Sequence, residues 1–232
     1  MICPVRDRES PFWYDEVMKL YLSSYRVGDH ADKLKELINK DGARVAVCVN
    51  ALDSADLEVR NNVVLARELA DMKELGYIAE ELDLRNYFNN DDLGDALKQY
   101  DAIWLSGGNT FILAKAFKQS GFDKLFQTRI KGGDLVYAGY SAAFCVLGKD
   151  LHGVELVDDK DAAAEGYQPG EIWEGLGVID FYPIVHFRSN HPESDDVEKE
   201  YNYVVKNNIP HKTFKDGDVY LVNSEVQTIL TS

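Results

Sequence analysis

Short apolar segments alternate with longer amphipathic segments from Met18 onward. The segment 43–49 is apolar almost throughout, which is typical of a strand in a parallel sheet that helices cover on both faces. Between such segments apolar residues recur at helical spacing, for example over 55–75, where Gly76 ends the pattern. This alternation predicts one α/β domain over 18–232, with a mostly parallel central sheet and helices on both faces. The predicted strands of the first part are 18–23, 43–49, 77–83, 102–106 and 135–138, and the predicted helices are 30–40, 55–75, 110–119 and 122–131.

The last third of the chain has a less regular pattern. An apolar segment over 178–187 is interrupted by Pro183, which predicts a bent strand or one near a sheet edge. Before Met18 the residues are mixed in character, and we predict that 1–17 form an N-terminal extension without an assigned function. The other predictions for this part are a loop over 151–177, an acidic helix over 192–207 and a terminal hairpin of 211–215 with 219–222.

The strongest chemical signal is the corner that follows the predicted strand 135–138. That strand ends at Gly139, and the small and apolar residues after Ser141 favour a buried helix. A serine at such a corner is typical of a nucleophile elbow, which strains the serine backbone and needs small residues two positions away on either side. Gly139 and Ala143 meet this need, although glycine usually occupies both positions. The alternative is an ordinary strand–helix junction, where Gly and Ser are common.

A second corner, the Gly-Gly-Asn-Thr segment at 107–110, follows the preceding predicted strand. Ligands of open α/β sheets bind at the carboxyl ends of the strands, so both corners are expected at one edge. The backbone N–H of Gly108 can pair with that of Ala142 as an oxyanion hole, in which each donor contributes on the order of 10²–10³ in rate. The alternative is that the glycines only form a tight turn before a helix capped by Asn109 or Thr110.

A serine nucleophile needs a general base, and the chain has five histidines. His186 ends an apolar run, where its imidazole is expected to reach the same sheet edge as Ser141, and we predict that it is the base. The other four histidines lie in polar or loop-like segments. The acid that orients the base stays open among three residues between the serine and the histidine, namely Glu155, Asp158 and Asp159.

The composition of the chain excludes several classes of binding partner and cofactor. The net charge of −15 leaves no basic face for nucleic acid or for an anionic membrane surface. No apolar run approaches the roughly 20 residues of a membrane span, and no signal peptide is visible. Three cysteines without a C-x-x-C pair predict reduced thiols in a cytoplasmic protein. The chain has no metal-binding or dinucleotide motif, and His186 and His191 are poorly spaced for a metal, so we predict neither a metal nor another cofactor.

With these residues assembled, the chain resembles the peptidase E (α-aspartyl dipeptidase) family of serine peptidases, which has the fold of class I glutamine amidotransferases. The resemblance implies a flavodoxin-like three-layer sandwich from about Met18 to the C-terminus. Glutamine hydrolysis itself is not expected, because the amidotransferases need cysteine where this chain has Ser141. The motifs that carry the resemblance are M-K-L-Y-L-S-S at 18–24, S-G-G-N-T-F at 106–111, Y-A-G-Y-S-A-A at 137–143 and G-L-G-V-I-D-F-Y-P-I-V-H-F at 175–187.

The resemblance also implies roles for single residues. It implies a Ser141 nucleophile, a His186 base and the oxyanion hole already described, with Glu155 and Asp158 each near the acidic position of the family. Family members that cleave after an N-terminal aspartate use an arginine in the loop that follows the histidine. Here that loop is acidic and Arg188 is the nearest cation, so we predict that Arg188 binds substrate together with Asn109, which leaves Asp-Xaa specificity open.

We therefore predict a serine peptidase that hydrolyses short peptides through an acyl-enzyme. Two alternatives stay open. One is a related hydrolase, such as an esterase or a cyanophycin- or isoaspartyl-type peptidase, and the other is a catalytically silent relative that binds a small molecule. A short peptide is the expected partner, and the chain is expected to be a monomer or a homodimer.

Overall fold

A computed structural model describes residues 17–232, so most of the predicted N-terminal extension lies outside the described residues. Five strands form the parallel part of the sheet: β1 (Lys19–Ser23), β2 (Arg44–Cys48), β3 (Ile78–Glu81), β4 (Ala102–Leu105) and β5 (Val136–Tyr140). Four further strands follow: β6 (Tyr182–Ile184), β7 (His211–Thr213), β8 (Val219–Asn223) and β9 (Val226–Leu230). The main sheet has the order β3-β2-β4-β5-β1-β8-β9, and β8 and β9 are its antiparallel members.

Within residues 17–232, seven α-helices connect and cover these strands. They are α1 (Ala31–Ile38), α2 (Ala66–Glu74), α3 (Leu93–Leu97), α4 (Thr110–Ser120), α5 (Phe122–Leu125), α6 (Ala142–Cys145) and α7 (Ser194–Lys206). A π-helical segment, Val59–Leu65, leads into α2, and a second, Phe126–Ile130, follows α5. Short 3₁₀ turns lie at Asn50–Leu52, Leu84–Tyr87 and Val154–Leu156. In residues 17–232 no helix combines the length and the apolar character that crossing a membrane requires.

The sheet separates two hydrophobic cores, because successive side chains of a strand point to opposite faces. In β1, Leu20 and Leu22 pack into the core beneath α3 to α7, whereas Tyr21 packs into the core beneath α1 and α2. In β4, Leu105 belongs to the first core and the fully buried Trp104 to the second. The predicted α/β fold, with helices on both faces of a mostly parallel sheet, is confirmed.

The last third differs from the prediction in how its strands pair. Only Tyr182–Ile184 of the predicted strand 178–187 is extended, and it pairs with β7 in a separate two-stranded parallel sheet. The predicted terminal hairpin is wrong, because β7 and β8 do not pair with each other. Instead, β8 pairs with β1 and turns back into β9, a strand that the sequence pattern did not indicate.

Strand register brings three corners to one edge of the sheet. Leu105 of β4 lies opposite Gly139 of β5, and Tyr140 of β5 lies opposite Ser23 of β1. The residues that follow these strands therefore meet at the carboxyl edge, where ligands of such sheets bind.

Candidate active site

Ser141 occupies a strained corner between β5 and α6. Its φ of 53° and ψ of −112° lie outside the regions that residues with side chains normally adopt. Such a conformation costs on the order of 1–3 kcal/mol and persists only when its surroundings enforce it. A Cβ on Gly139 would lie 2.6 Å from the carbonyl oxygen of Leu105 and 2.8 Å from the Cβ of Ala143. The corner therefore has the geometry of a nucleophile elbow, and Ala143 fits it because Gly139 has no side chain.

Gly108 lies beside this corner, in the turn between β4 and α4. Its φ is +137°, and an added Cβ would lie 2.7 Å from the carbonyl oxygen of Ala51, so only glycine fits here. An added Cβ on Gly107 would lie 3.0 Å from the Cβ of Ser141, which shows how closely the two corners approach. Gly108 lines the same cleft as Ser141, which is where a backbone donor to a substrate oxygen must lie.

Asn109 and Asp158 hold this turn in place. The Asn109 side chain accepts a hydrogen bond from the N–H of Ile112 at 2.9 Å and donates one to the carbonyl oxygen of Asp159 at 2.8 Å. Asp158 Oδ2 accepts a hydrogen bond from the N–H of Thr110 at 2.8 Å, and burial raises the pKa of Asp158 to about 6. Both side chains are thus engaged in structural contacts at the start of α4.

His186 lies two residues beyond β6 and not in a strand of the main sheet. Its side chain is buried, and its φ of 55° is as unusual as that of Ser141. The N–H of His186 donates to Ser24 Oγ at 2.8 Å, and the N–H of Phe187 donates to the carbonyl oxygen of Phe214 at 3.0 Å. These contacts hold the main chain in place at the histidine.

The carboxylate beside His186 is that of Asp216. Its Oδ1 lies 2.7 Å from His186 Nδ1, and the Ser24 hydroxyl lies 3.2 Å from the same oxygen. Burial alone would raise the pKa of Asp216, but the hydrogen bond and charge of His186 outweigh it and lower the pKa. The N–H of Asp216 donates to Ser189 Oγ at 2.8 Å, which anchors the turn that carries the carboxylate.

This contact involves none of the acids that the sequence offered for the orienting role. Glu155 accepts a hydrogen bond from the N–H of Gly153, and Asp158 accepts one from Thr110, so neither makes the carboxylate contact with His186. Asp216 lies after the histidine, in a turn (216–218, Asp-Gly-Asp) that the sequence pattern predicts as the loop of the terminal hairpin, so the pattern gives it no chemical role.

His191 stacks face to face on His186, with ring centroids 3.8 Å apart and an angle of 7° between the ring planes. Tyr25 packs its ring edgewise against both imidazoles. Burial, followed by the nearby His186, lowers the pKa of His191. In the sequence, His191 lies in a loop-like segment before Pro192, and its spacing from His186 does not predict the stacking of the two rings.

A cleft of about 180 Å³ opens onto the serine. Arg67 reaches it from α2, and its Nη2 donates to Glu68 Oε1 at 2.7 Å and to the Tyr140 hydroxyl at 2.9 Å. Arg188, the predicted substrate-binding cation, instead lies 62% exposed and 3.7 Å from Glu198. The residues that line the cleft are Tyr25, Leu52, Val64, Arg67, Gly107, Gly108, Tyr140, Ser141, His186, His191 and Glu193.

The structure thus brings together Ser141, Gly108 and His186, with Ala142 next to the serine at the start of α6. It places Glu155, Asn109 and Arg188 outside the lining of the cleft. A serine at a strained corner and an imidazole held by a carboxylate therefore occur in one cleft, and acyl transfer uses groups of these types.

Known proteins share sequence similarity with this chain. The sequence profile of Peptidase family S51 matches residues 25–226. An uncharacterized peptidase of Listeria monocytogenes is 29% identical over 131 residues, which are 55% of this chain and 59% of the relative. An uncharacterized peptidase of Pasteurella multocida is 27% identical over 154 residues, which are 66% of this chain and 70% of the relative. The match with the first relative thus spans somewhat more than half of that protein's length.

Two solved structures share the fold. A Listeria monocytogenes protein described as a candidate peptidase E superposes with a TM-score of 0.74 at 21% identity, covering 93% of this chain and 98% of that one. A peptidase from an acI-B1 actinobacterium superposes with a TM-score of 0.65 at 17% identity, covering 95% and 91% of the two chains. At these identities the likeness establishes the fold alone.

Proposed function

The chain belongs to Peptidase family S51, and from this premise we propose that it is a serine peptidase in which Ser141, His186 and Asp216 form the catalytic triad. One observation carries the proposal. Ser141, in a strained backbone conformation, lines the same cleft as His186, and Nδ1 of His186 lies 2.7 Å from the Asp216 carboxylate. Family membership supports a peptidase, and the geometry supports the roles of the residues.

In the proposed reaction, Ser141 Oγ attacks the scissile carbonyl while His186 Nε2 takes the hydroxyl proton. Asp216 holds Nδ1–H, which leaves Nε2 unprotonated and stabilises the imidazolium that forms. The oxygen of the tetrahedral intermediate accepts hydrogen bonds from the N–H groups of Gly108 and Ala142. His186 then returns the proton to the leaving amine, and water releases the acyl group by the same steps in reverse order.

The size and charge of the cleft support short peptides as substrates. Its volume of about 180 Å³ is below the roughly 300–1,000 Å³ of sites for drug-sized ligands, so it suits one small residue on the acyl side. Arg67 supplies a cation to the lining, from α2 instead of the loop after the histidine. We therefore propose a dipeptidase-type activity and would test Asp-Xaa dipeptides first, because Arg67 can pair with an acidic side chain.

The test is the reaction of the purified chain with a fluorophosphonate probe, which labels only an activated serine. We expect labelling of wild type, complete loss in Ser141→Ala and a strong loss in His186→Ala, with circular dichroism unchanged in each. Hydrolysis of a dipeptide panel, beginning with Asp-Xaa and matched Ala-Xaa peptides, then defines the substrate. Folded wild-type protein that neither reacts with the probe nor cleaves any peptide would overturn the proposal.

A further inference from the structure

The cleft contains a second group of chemically active side chains. His186, His191 and Glu193 each offer one ligand atom, and these atoms lie within 4.8 Å of one another. All three residues line the cleft that Ser141 also lines. The proposed peptidase mechanism uses only His186, so His191 and Glu193 need another explanation.

Two imidazoles and one carboxylate are a ligand set that Zn²⁺ favours, as in sites with three protein ligands and one open position. Metal-bound histidines usually donate their other ring N–H to a carboxylate, which fixes the tautomer and raises the basicity of the ligating nitrogen. His186 already has this partner, because Asp216 Oδ1 lies 2.7 Å from Nδ1. Its Nε2 remains for an ion, and the cleft beside Ser141 leaves room for a fourth ligand.

The ligands must move to bind one ion. Nitrogen ligands about 2.0–2.1 Å from a tetrahedral zinc are about 3.3 Å apart, so ligand atoms that lie within 4.8 Å of one another have to approach by up to about 1.5 Å. The parallel stack of the two imidazoles must also open, since each ring binds a metal in its own plane. His191 and Glu193 are the ligands that must adjust, since they lie in the segment before α7, where their side chains are 15% and 43% exposed.

We propose that His186, His191 and Glu193 form an inhibitory binding site for a divalent transition-metal ion, with Zn²⁺ as the preferred ion. The lone pair of His186 Nε2 forms a coordinate bond to the ion and can no longer accept the proton of Ser141. The reaction stops at its first step, and removal of the ion restores it with no change in redox state. The inhibition rests on the proposed peptidase function, whereas the binding of the ion does not.

Binding is measured first, because it needs no substrate. Isothermal titration calorimetry with Zn²⁺ uses the full chain carrying Cys3→Ser, which removes a thiol outside the described residues. His191→Gln and Glu193→Gln are the test variants. His152→Gln is the matched control, because His152 forms an exposed pair with Asp150 outside the cleft. We expect one site per chain whose affinity falls by about tenfold or more in each test variant and not in the control.

Inhibition is measured next, as the rate of fluorophosphonate labelling against free Zn²⁺, with each variant compared to its own metal-free rate. We expect wild type to be inhibited, chelation to restore the rate, Mg²⁺ to have no effect because it prefers oxygen ligands, and both test variants to resist. Equal zinc affinity in wild type and the test variants would overturn the site. Loss of affinity in the test variants without inhibition of wild type would overturn the inhibitory role alone. A wild type that binds zinc but never reacts with the probe would instead contradict the peptidase function.

Discussion

Replacing Asp216 with asparagine tests the proposed catalytic acid directly. The substitution keeps the size and the planar shape of the side chain. It removes the negative charge, and the new amide can donate a hydrogen bond to His186 Nδ1. That bond favours the tautomer with a proton on Nε2, which cannot accept the proton of Ser141.

The expected loss of rate can be worked out from the geometry. The bonded atoms are 2.7 Å apart, which places the charges of imidazolium and carboxylate about 4 Å apart. At an effective dielectric constant of about 20, two unit charges at that distance attract by about 4 kcal/mol. Since about 1.4 kcal/mol corresponds to tenfold in rate, the lost charge accounts for about 10³. The wrong tautomer adds to this, and the matching change in a serine protease triad costs about 10⁴ in kcat.

The assay is kcat/KM on the best dipeptide of the panel, together with the rate of fluorophosphonate labelling. We expect both to fall by about 10³–10⁴ in Asp216→Asn. Asp158→Asn and Glu155→Gln are the matched controls, because each keeps the oxygen that accepts its backbone N–H and neither contacts His186. The role of Asp216 would be rejected if folded Asp216→Asn retained a tenth of the wild-type rate. It would also be rejected if a control variant lost as much activity as Asp216→Asn.

Two further predictions concern the turn at Gly108 and the buried acid Glu200 of α7. Gly108→Ala forces a Cβ to within 2.7 Å of the Ala51 carbonyl oxygen, so we expect kcat to fall on the order of 10², while Gly166→Ala, at a positive φ in open space, leaves it unchanged. Burial raises the pKa of Glu200 from 4.5 to about 8, and its carboxylate accepts from Tyr182. The folded state therefore holds a proton that the unfolded state has lost, and the free energy of unfolding falls as pH rises between these values. Glu200→Gln should flatten that fall in urea denaturation curves recorded from about pH 5 to about pH 9, and an unchanged slope would contradict the assignment.

The fold was predictable because its signals are local. The apolar run of β2 and the helical periodicity before Gly76 each lie within about 20 residues, and right-handed β-α-β connections leave few arrangements for such units. The elbow was predictable for the same reason, since a strand, a glycine and a serine before small residues are contiguous in the chain. Ser141, Gly108 and His186 accordingly share one cleft.

The acid and the second histidine were not predictable, because both depend on contacts between distant segments. Asp216 lies 30 positions after His186 and reaches it only because β8 pairs with β1, whereas the sequence pattern favoured pairing with β7. His191 reaches His186 through a loop in which His186 and Arg188 both adopt positive φ. Residues with side chains rarely adopt that conformation, and no sequence pattern marks where they do.

The end of β1 explains how these distant segments meet. The carbonyl oxygen of Ser23 accepts the N–H of Ser141 at 3.3 Å, and Ser24 Oγ accepts the N–H of His186 at 2.8 Å. The same hydroxyl lies 3.2 Å from the carboxylate of Asp216. Two consecutive serines, the last residue of β1 and the residue that follows it, therefore contact all three members of the proposed triad. Strand β1 pairs with β5 on one side and with β8 on the other. It therefore fixes the position of β5, which precedes Ser141, relative to the turn before β8, which carries Asp216. The strain at Ser141 and His186 is thus sustained by a fully buried strand end, which is where a rigid support for strained residues is needed.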